Sequence, residues 1–163
     1  MKILYFGGQK SGKSTLAESK TLEISPKKPY YVATYDHSFG DSEMGERIEK
    51  HRQTRRDDFI TIEETHNLSD VIHSGHTYLI DCISMWLLNR LNESEEALVA
   101  EIESLRCIDA NIVFVLNDVG TGVIPNDPLS RRYVDLSGII GQTLARICDE
   151  VYEVKLGLEI RLK

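Results

Sequence analysis

The feature that most limits what this chain can fold into is a glycine-rich segment near its start. Residues 7–14 read Gly-Gly-Gln-Lys-Ser-Gly-Lys-Ser and match the pattern Gly-x-x-x-x-Gly-Lys-Ser/Thr. An apolar run at residues 3–6 predicts a buried strand before the segment, and residues 15–22 predict a helix after it. A strand, a glycine loop and a helix in this order indicate a phosphate-binding loop, known as Walker A, rather than a chance glycine-rich turn.

The residues of this loop have separate expected roles. Small glycines let the backbone approach a phosphate group, and backbone N–H groups surround its oxygens. We expect the catalytic Lys13 to reach the β and γ phosphates of a nucleotide, and Ser14 to offer its hydroxyl to Mg²⁺. The expected nucleotide-binding residues of the loop are Gly7, Gly8, Gln9, Lys10, Ser11, Gly12, Lys13 and Ser14.

Predicted strands and helices alternate along the rest of the chain. Short apolar runs predict strands at residues 30–33, 59–62, 77–80 and 112–116. Helical patterns occur at residues 67–73, 83–91 and 95–107. Periodic apolar residues from position 129 to Val151 predict one long amphipathic helix, and residues 152–162 predict closing strands around Gly157.

This alternation favours an α/β fold in which helices flank a mainly parallel central sheet. The chain has 163 residues, close to the usual size of one domain, and no linker divides it. We therefore expect a single nucleotide-binding catalytic domain over residues 1–163. Ligand sites of such sheets lie at the carboxyl ends of the strands, where the glycine-rich loop also begins.

The composition argues against some functions and compartments. A formal net charge of −7 makes a nucleic-acid-binding surface a poor fit, so phosphate recognition has to be local. No apolar stretch is long enough for a membrane span or a signal segment, which predicts a cytoplasmic protein. Cys82, Cys107 and Cys148 form no Cys-x-x-Cys pair, and we expect buried free thiols.

An acidic residue, Asp81, follows the predicted strand at residues 77–80. This is the Walker B position, whose carboxylate helps to hold the magnesium ion of a bound nucleotide. Asp81 could also cap the helix predicted at residues 83–91, and this role is compatible with the Walker B role, which we favour.

A histidine lies on a predicted basic helix face. Glu43, Arg47, His51 and Arg55 are spaced four residues apart, so they share one face if residues 42–56 are helical. Two flanking guanidinium groups would lower the pKa of His51 and favour the neutral imidazole, the form that can attack phosphorus. The alternative is a solvated, salt-bridged helix face, which is the more common role of such a stripe.

Five segments together resemble one enzyme family. The sequence is similar, over essentially its whole length, to the bifunctional adenosylcobinamide kinase/adenosylcobinamide-phosphate guanylyltransferase family of cobalamin biosynthesis. This resemblance implies a RecA-like P-loop NTPase fold. The matching segments are residues 7–14, Tyr-Val-Ala-Thr at 31–34, Glu-Met-x-x-Arg-Ile-x-x-His-Arg at 43–52, Asp-Cys-Ile-Ser-Met-Trp-Leu-Leu-Asn at 81–89 and Asn-Asp-Val-Gly-Thr-Gly-Val-Ile-Pro at 117–125.

The resemblance also implies the reactions and their residues. A nucleoside triphosphate such as ATP would phosphorylate adenosylcobinamide, and GTP would then cap the phosphate to give adenosylcobinamide-GDP. His51 would carry GMP between the two partners as a phosphoramidate. Arg52 and Arg55 would contact phosphates, Thr34 would face the same cleft, and Glu63 would lie near the guanine nucleotide or be a surface carboxylate. The family's trimeric state implies a homo-oligomer.

Four positions depart from the pattern of the family. Asp118 replaces a common glutamate, Val134 and Ile139 replace common basic residues, and Gly141 replaces an asparagine. These changes bear on corrinoid or phosphate contacts and on whether both activities survive. Two other interpretations remain open from the sequence: a plain P-loop small-molecule kinase, and a nucleotide switch or ATPase module that acts on a protein partner.

Overall fold

A β-sheet forms the centre of the protein in the computed structural model, which describes residues 1–35 and 58–163. The described residues form one seven-stranded sheet in the order β3-β2-β4-β5-β1-β6-β7, and all neighbouring strands are parallel except β6 and β7. The strands are β1 (Lys2–Gly7), β2 (Tyr30–Ala33), β3 (Ile60–Glu63), β4 (Thr77–Asp81), β5 (Asn111–Asn117), β6 (Glu150–Lys155) and β7 (Leu158–Arg161).

Helices cover both faces of this sheet. One apolar cluster includes Trp86, Leu98 and Leu144 from three helices on one face, and the smaller cluster includes Ala17 on the other. Because both faces are covered, the central strands consist of nearly continuous apolar residues. The described helices are α1 (Lys13–Ile24), α2 (Leu68–Val71), α3 (Ile83–Asn89), α4 (Glu95–Ser104) and α5 (Pro128–Ile147), with a short 3₁₀ turn at Leu105–Cys107.

The predicted α/β class and mainly parallel sheet are confirmed. The predicted end of the long helix is wrong, because α5 stops at Ile147 and Val151 belongs to β6. Cys148 has an extended backbone, and Val151 pairs with Leu4 of β1. The helix-like spacing of apolar residues continued to Val151 because α5 and β6 bury their apolar side chains in the same core.

Two other sequence expectations can be compared with the described residues. Cys148 is buried and Cys82 partly exposed, but Cys107 is exposed, so the expectation of three buried thiols is wrong there. Cys107 closes a 3₁₀ turn that follows an amphipathic helix, and its side chain falls on the solvent side.

Among the described helices, none is both long and apolar enough to cross a bilayer.

The register of the sheet brings the carboxyl ends of the parallel strands to one edge. Gly7 at the end of β1 pairs with Asn117 at the end of β5. Ala33 at the end of β2 lies between Glu63 of β3 and Asp81 of β4. The glycine-rich loop and the predicted acidic residue therefore share this edge, as expected for the ligand-binding side of such a sheet.

Candidate functional site

The glycine-rich loop connects β1 to α1, and two of its glycines are required by their surroundings. A Cβ atom at Gly7 would lie 2.3 Å from the carbonyl oxygen of Val154, so no side chain fits there. Gly12 is the N-cap of α1 and has a φ of +98°, which residues with a side chain rarely adopt. A Cβ atom at Gly12 would also lie 3.2 Å from Cα of Gly157. The positions of Gly7 and Gly12 therefore both require glycine.

The lysine of the loop lies over the loop itself. Lys13 is buried, with 7% of its surface exposed, and its Nζ donates a hydrogen bond to the carbonyl oxygen of Gly8 at 3.2 Å. The ammonium group is therefore held at the mouth of the loop, at the N-terminus of α1. The first N–H groups of a helix have no acceptor inside that helix and carry partial positive charge, so this end of α1 favours an anion.

The other predicted loop residues differ in exposure. Gly8, Gln9 and Lys10 are exposed, whereas Ser11 and Ser14 are partly buried. The Oγ atom of Ser11 is buried and has no hydrogen-bond partner among the described residues. The structure thus places the predicted loop between Gly7, at the end of β1, and the first turn of α1, which begins at Lys13. The N-terminus of a helix can bind phosphate oxygens through its backbone N–H groups.

Asp81 ends β4 and accepts a hydrogen bond from the hydroxyl of Tyr31 at 2.8 Å. The alternative role of Asp81 as a helix cap is wrong, because the N-cap of α3 is Cys82 and no side chain caps that helix. One strand, β5, separates β4 from β1. Two strand spacings correspond to about 10 Å, so Asp81 lies near the glycine-rich loop along the sheet edge.

Thr34 lies beside Asp81 and is fully buried. Its hydroxyl accepts a hydrogen bond from the backbone N–H of Cys82 at 3.0 Å and donates one to the carbonyl oxygen of Cys82 at 2.8 Å. The side-chain amide of Asn89 donates to the carbonyl oxygens of Thr34, at 2.7 Å, and Thr65, at 3.0 Å. Thr34 and Asn89 therefore join the ends of β2, β3 and β4. Sequence reasoning included Asn89 in a motif but missed this role.

Ser84 makes a second connection, between the end of β5 and two helices. Its hydroxyl accepts a hydrogen bond from the backbone N–H of Asn117 at 2.9 Å, and its carbonyl oxygen accepts one from the Tyr133 hydroxyl at 3.2 Å. The side-chain amide of Asn117 contacts the sulfur of Cys82 at 3.7 Å. These residues were not predicted as site residues, and their only sequence signal was their presence in family-like segments.

Cys82 is the cysteine nearest to Asp81, and its ionisation decides whether it can act as a nucleophile. Burial raises the pKa of the Cys82 thiol above its usual value, and the neighbouring negative charge of Asp81 raises it further. The thiol is therefore protonated at neutral pH. Since a thiolate is the reactive form, Cys82 has a packing role beside the site and is not a candidate nucleophile.

Glu63 lies at the same sheet edge but far from the glycine-rich loop. It is exposed at the end of β3, the outermost strand, and four strand spacings separate β3 from β1. At about 4.8 Å per spacing this amounts to about 19 Å. The structure therefore does not bring Glu63 and Lys13 together, and any nucleotide contact of Glu63 lies at the other end of the edge.

His51, Arg52 and Arg55 lie outside the described residues, as does the predicted helix at residues 42–56. The segment that contains them connects β2 to β3, between Tyr35 and Asp58. Thr34, which is fixed by its contacts to Cys82 and Asn89, immediately precedes Tyr35.

The positions that depart from the family pattern lie on α5 and on the loop before it. Gly141 faces β5, and a Cβ atom there would lie 3.3 Å from the Leu116 side chain, so α5 packs closely on the sheet at this point. Val134 and Ile139 are partly buried. The Asp118 carboxylate accepts a hydrogen bond from the backbone N–H of Gly120 at 3.1 Å, which orders the start of the loop.

Comparison with known proteins identifies the same family that the sequence segments resemble. Residues 3–162 match the model of the family described as cobinamide kinase / cobinamide phosphate guanyltransferase. The bifunctional adenosylcobalamin biosynthesis protein CobP of Pseudomonas aeruginosa is 39% identical over 175 aligned positions, which cover 100% of this chain and 98% of that protein. The bifunctional adenosylcobalamin biosynthesis protein CobU of Escherichia coli is 34% identical, with 100% of both chains covered.

CobU of Salmonella typhimurium, which carries the same description, is 32% identical with 100% of both chains covered. The match extends from β1 to β7 and so includes the glycine-rich loop, Asp81 and the segment with His51. This chain therefore belongs to the cobinamide kinase/cobinamide phosphate guanyltransferase family.

Proposed function

We propose that this protein is a bifunctional transferase that performs both reactions in the description of its family. A nucleoside triphosphate phosphorylates the hydroxyl of adenosylcobinamide, and GTP then donates GMP to the product to give adenosylcobinamide-GDP. The observation that carries the proposal is the glycine-rich loop with the buried Lys13, at the same sheet edge as Asp81 and in a chain that matches the family from end to end.

The glycine-rich loop would serve the phosphoryl transfer. Lys13 exchanges its contact with the Gly8 carbonyl for phosphate oxygens, and the N-terminus of α1 stabilises their negative charge. Ser14 and Asp81 supply a hydroxyl and a carboxylate, which suit Mg²⁺ because this ion prefers few protein ligands together with phosphate oxygens and water. When bound, the ion neutralises charge on the phosphates.

His51 would serve the guanylyl transfer. Its neutral imidazole attacks the α phosphorus of GTP, a phosphorus–nitrogen bond forms, and pyrophosphate leaves with the displaced electron pair. A phosphate oxygen of the corrinoid substrate then attacks the same phosphorus and releases the imidazole. Arg52 and Arg55 compensate the charge of the phosphates, and Glu63 contacts the guanine nucleotide. Thr34 supports the wall of the cleft from its buried position after β2.

We also propose the domain organisation, the compartment and the oligomeric state of this enzyme. Residues 1–163 act as one domain, supported by a single sheet that contains strands from both ends of the chain. The enzyme works in the cytoplasm and assembles as a trimer. Its apolar residues exposed on β7 and nearby, which are Leu156, Leu158, Ile160 and Leu162, are compatible with contacts between subunits.

A product assay tests the two reactions separately. Purified protein is incubated with adenosylcobinamide and Mg²⁺, first with ATP alone and then with ATP and GTP, and the corrinoid products are separated by mass. We expect the phosphate with ATP alone and the GDP derivative after GTP is added. Formation of the phosphate without the GDP derivative would contradict the proposal and indicate a plain kinase. Nucleotide hydrolysis without either product would indicate a switch or ATPase module.

The assignment of Asp81 predicts a change in the magnesium requirement. Asp81→Asn keeps the size and the acceptor for Tyr31 but removes the charge, so the Mg²⁺ concentration for half-maximal phosphorylation should rise about 10- to 100-fold. The matched control is Tyr31→Phe, which removes the hydrogen bond that Tyr31 donates to Asp81 but keeps the charge of Asp81. An equal rise in both variants would show that disturbing the contact between Tyr31 and Asp81 is sufficient for the effect, and would contradict a metal-binding role for the charge of Asp81.

A further inference from the structure

The turn between β6 and β7 lies against the phosphate-binding loop, although the two are at opposite ends of the sequence. The backbone N–H of Gly157, in this turn, donates a hydrogen bond to the carbonyl oxygen of Ser11 at 2.8 Å. Cα of Gly157 would lie 3.2 Å from a Cβ atom on Gly12. The carbonyl oxygen of Val154, in β6, leaves no room for a side chain on Gly7. The C-terminal hairpin thus contacts the loop at three residues.

The Ser11 contact determines the direction of a neighbouring N–H group. In a planar trans peptide, the C=O of one residue and the N–H of the next point in opposite directions. Because the carbonyl of Ser11 is held towards Gly157, the N–H of Gly12 points away from the hairpin. Gly12 caps α1, where backbone N–H groups bind phosphate oxygens.

Two other loop carbonyls accept hydrogen bonds from the loop itself or from the residue that follows β5. Asp118 donates its backbone N–H to the carbonyl of Gly7 at 2.9 Å, and Ser11 donates to that of Gly8 at 3.2 Å. Among these hydrogen bonds to loop carbonyls, the one from Gly157 joins the loop to the part of the described sequence that is farthest from it.

The conformation of the hairpin turn makes this contact depend on a glycine. Lys155 pairs with Leu158, so Leu156 and Gly157 are the two turn residues, with φ values of +56° and +79°. Two successive positive φ values are typical of the tight turn that joins antiparallel strands. Any residue with a Cβ atom is strained at position 157, and relief of the strain by a negative φ would rotate the N–H of this residue away from Ser11.

We propose that Gly157 is a positioning residue of the nucleotide-binding site, which holds the Ser11–Gly12 peptide in the orientation that phosphate binding requires. The inference rests on the proposed function of the loop and adds the C-terminal hairpin to the site. Gly157 itself does not contact the nucleotide, so its replacement changes nucleotide affinity through the loop.

The chain contains a matched control for this position. Gly75, in the turn before β4, also has a φ of +79°, and its backbone N–H donates to the carbonyl oxygen of Asp109 at the same distance of 2.8 Å. A Cβ atom at either glycine meets no atom within 4 Å. Gly75 lies at the amino-terminal edge of the sheet, opposite the loop, so Gly75→Ala introduces the same backbone strain without a connection to the site.

The test compares Gly157→Ala with Gly75→Ala in the full-length protein, by calorimetric titration with ATP and Mg²⁺ and by thermal unfolding. We expect similar losses of Tm in both variants and a Kd for ATP that rises about tenfold in Gly157→Ala alone, because small displacements of positioning groups weaken binding strongly. If either alanine variant does not fold, Gly157→Asn is compared with Gly75→Asn instead, because asparagine tolerates a positive φ better than alanine does.

Equal Kd values in the position 157 and position 75 variants would overturn the inference and leave the proposed function intact. If the wild-type protein does not bind ATP, the proposed nucleotide-binding role of the loop is wrong, and the inference is wrong with it. A raised Kd in Gly157→Ala with unchanged Kd in Gly75→Ala supports the positioning role, since backbone strain is common to both.

Discussion

Replacement of His51 by alanine should abolish the retention of label when the protein is incubated with GTP labelled in its α phosphate. The wild-type protein should retain acid-labile label, because a phosphoramidate bond to histidine is hydrolysed in acid. Guanylyl transfer should fall by about three orders of magnitude or more, as expected when the nucleophile of a covalent mechanism is removed. Phosphorylation of adenosylcobinamide by ATP should continue, since it uses the glycine-rich loop.

His73→Ala is the control for this prediction. His73 is exposed in the turn before β4, at the opposite edge of the sheet from Asp81. Its replacement removes an imidazole group without affecting the proposed site, so the retained label and both product yields should equal those of the wild type. Retention of label by His51→Ala at the wild-type level would contradict the role of His51 as the residue that carries GMP.

Replacement of Lys13 by methionine should reduce kcat/KM for the phosphorylation of adenosylcobinamide by about 10²- to 10³-fold, the usual loss when a charge-stabilising donor is removed. Methionine keeps the length of the buried stem, so the midpoint of urea unfolding should change little. Product formation at saturating ATP, together with urea unfolding, separates a defect in catalysis from one in stability.

Lys20→Met provides the matched control on the same helix. Lys20 forms an ion pair with Glu23 at 3.1 Å near the C-terminal half of α1, and exposed pairs of this kind contribute little to stability. Its replacement should leave kcat/KM unchanged. Comparable losses in the two variants would indicate a general effect of charge on α1 and would contradict a specific role for Lys13.

Local sequence patterns predicted most elements of the fold. The strand at residues 30–33 has the predicted bounds, and the strand predicted at 59–62 is shifted by one residue to Ile60–Glu63. Such patterns depend on neighbours within one element, which is why they were informative. They failed at Val151, because a helix and the strand after it can continue the same apolar spacing while packing against one core.

The candidate site was predicted only in part. The glycine-rich loop and Asp81 were recognised because each consists of a short segment with a fixed local context, a strand end and a helix start. Asn89 and Ser84 were missed as contributors, since an amide and a hydroxyl inside an apolar helix have no distinctive pattern. Their importance depends on partners such as Thr34 and Asn117, which lie tens of residues away.

The sequence by itself determined the chemistry that we propose for the glycine-rich loop, because eight consecutive residues between a strand and a helix carry the glycines, the lysine and the hydroxyl of a phosphate-binding pattern. Only the tertiary structure decided what surrounds and orients the loop. The pairing of Gly157 with Ser11 and of Tyr31 with Asp81 follows from strand order and register. Strand order and register are set by burial of the whole sheet between two layers of helices, and no local sequence pattern encodes this arrangement.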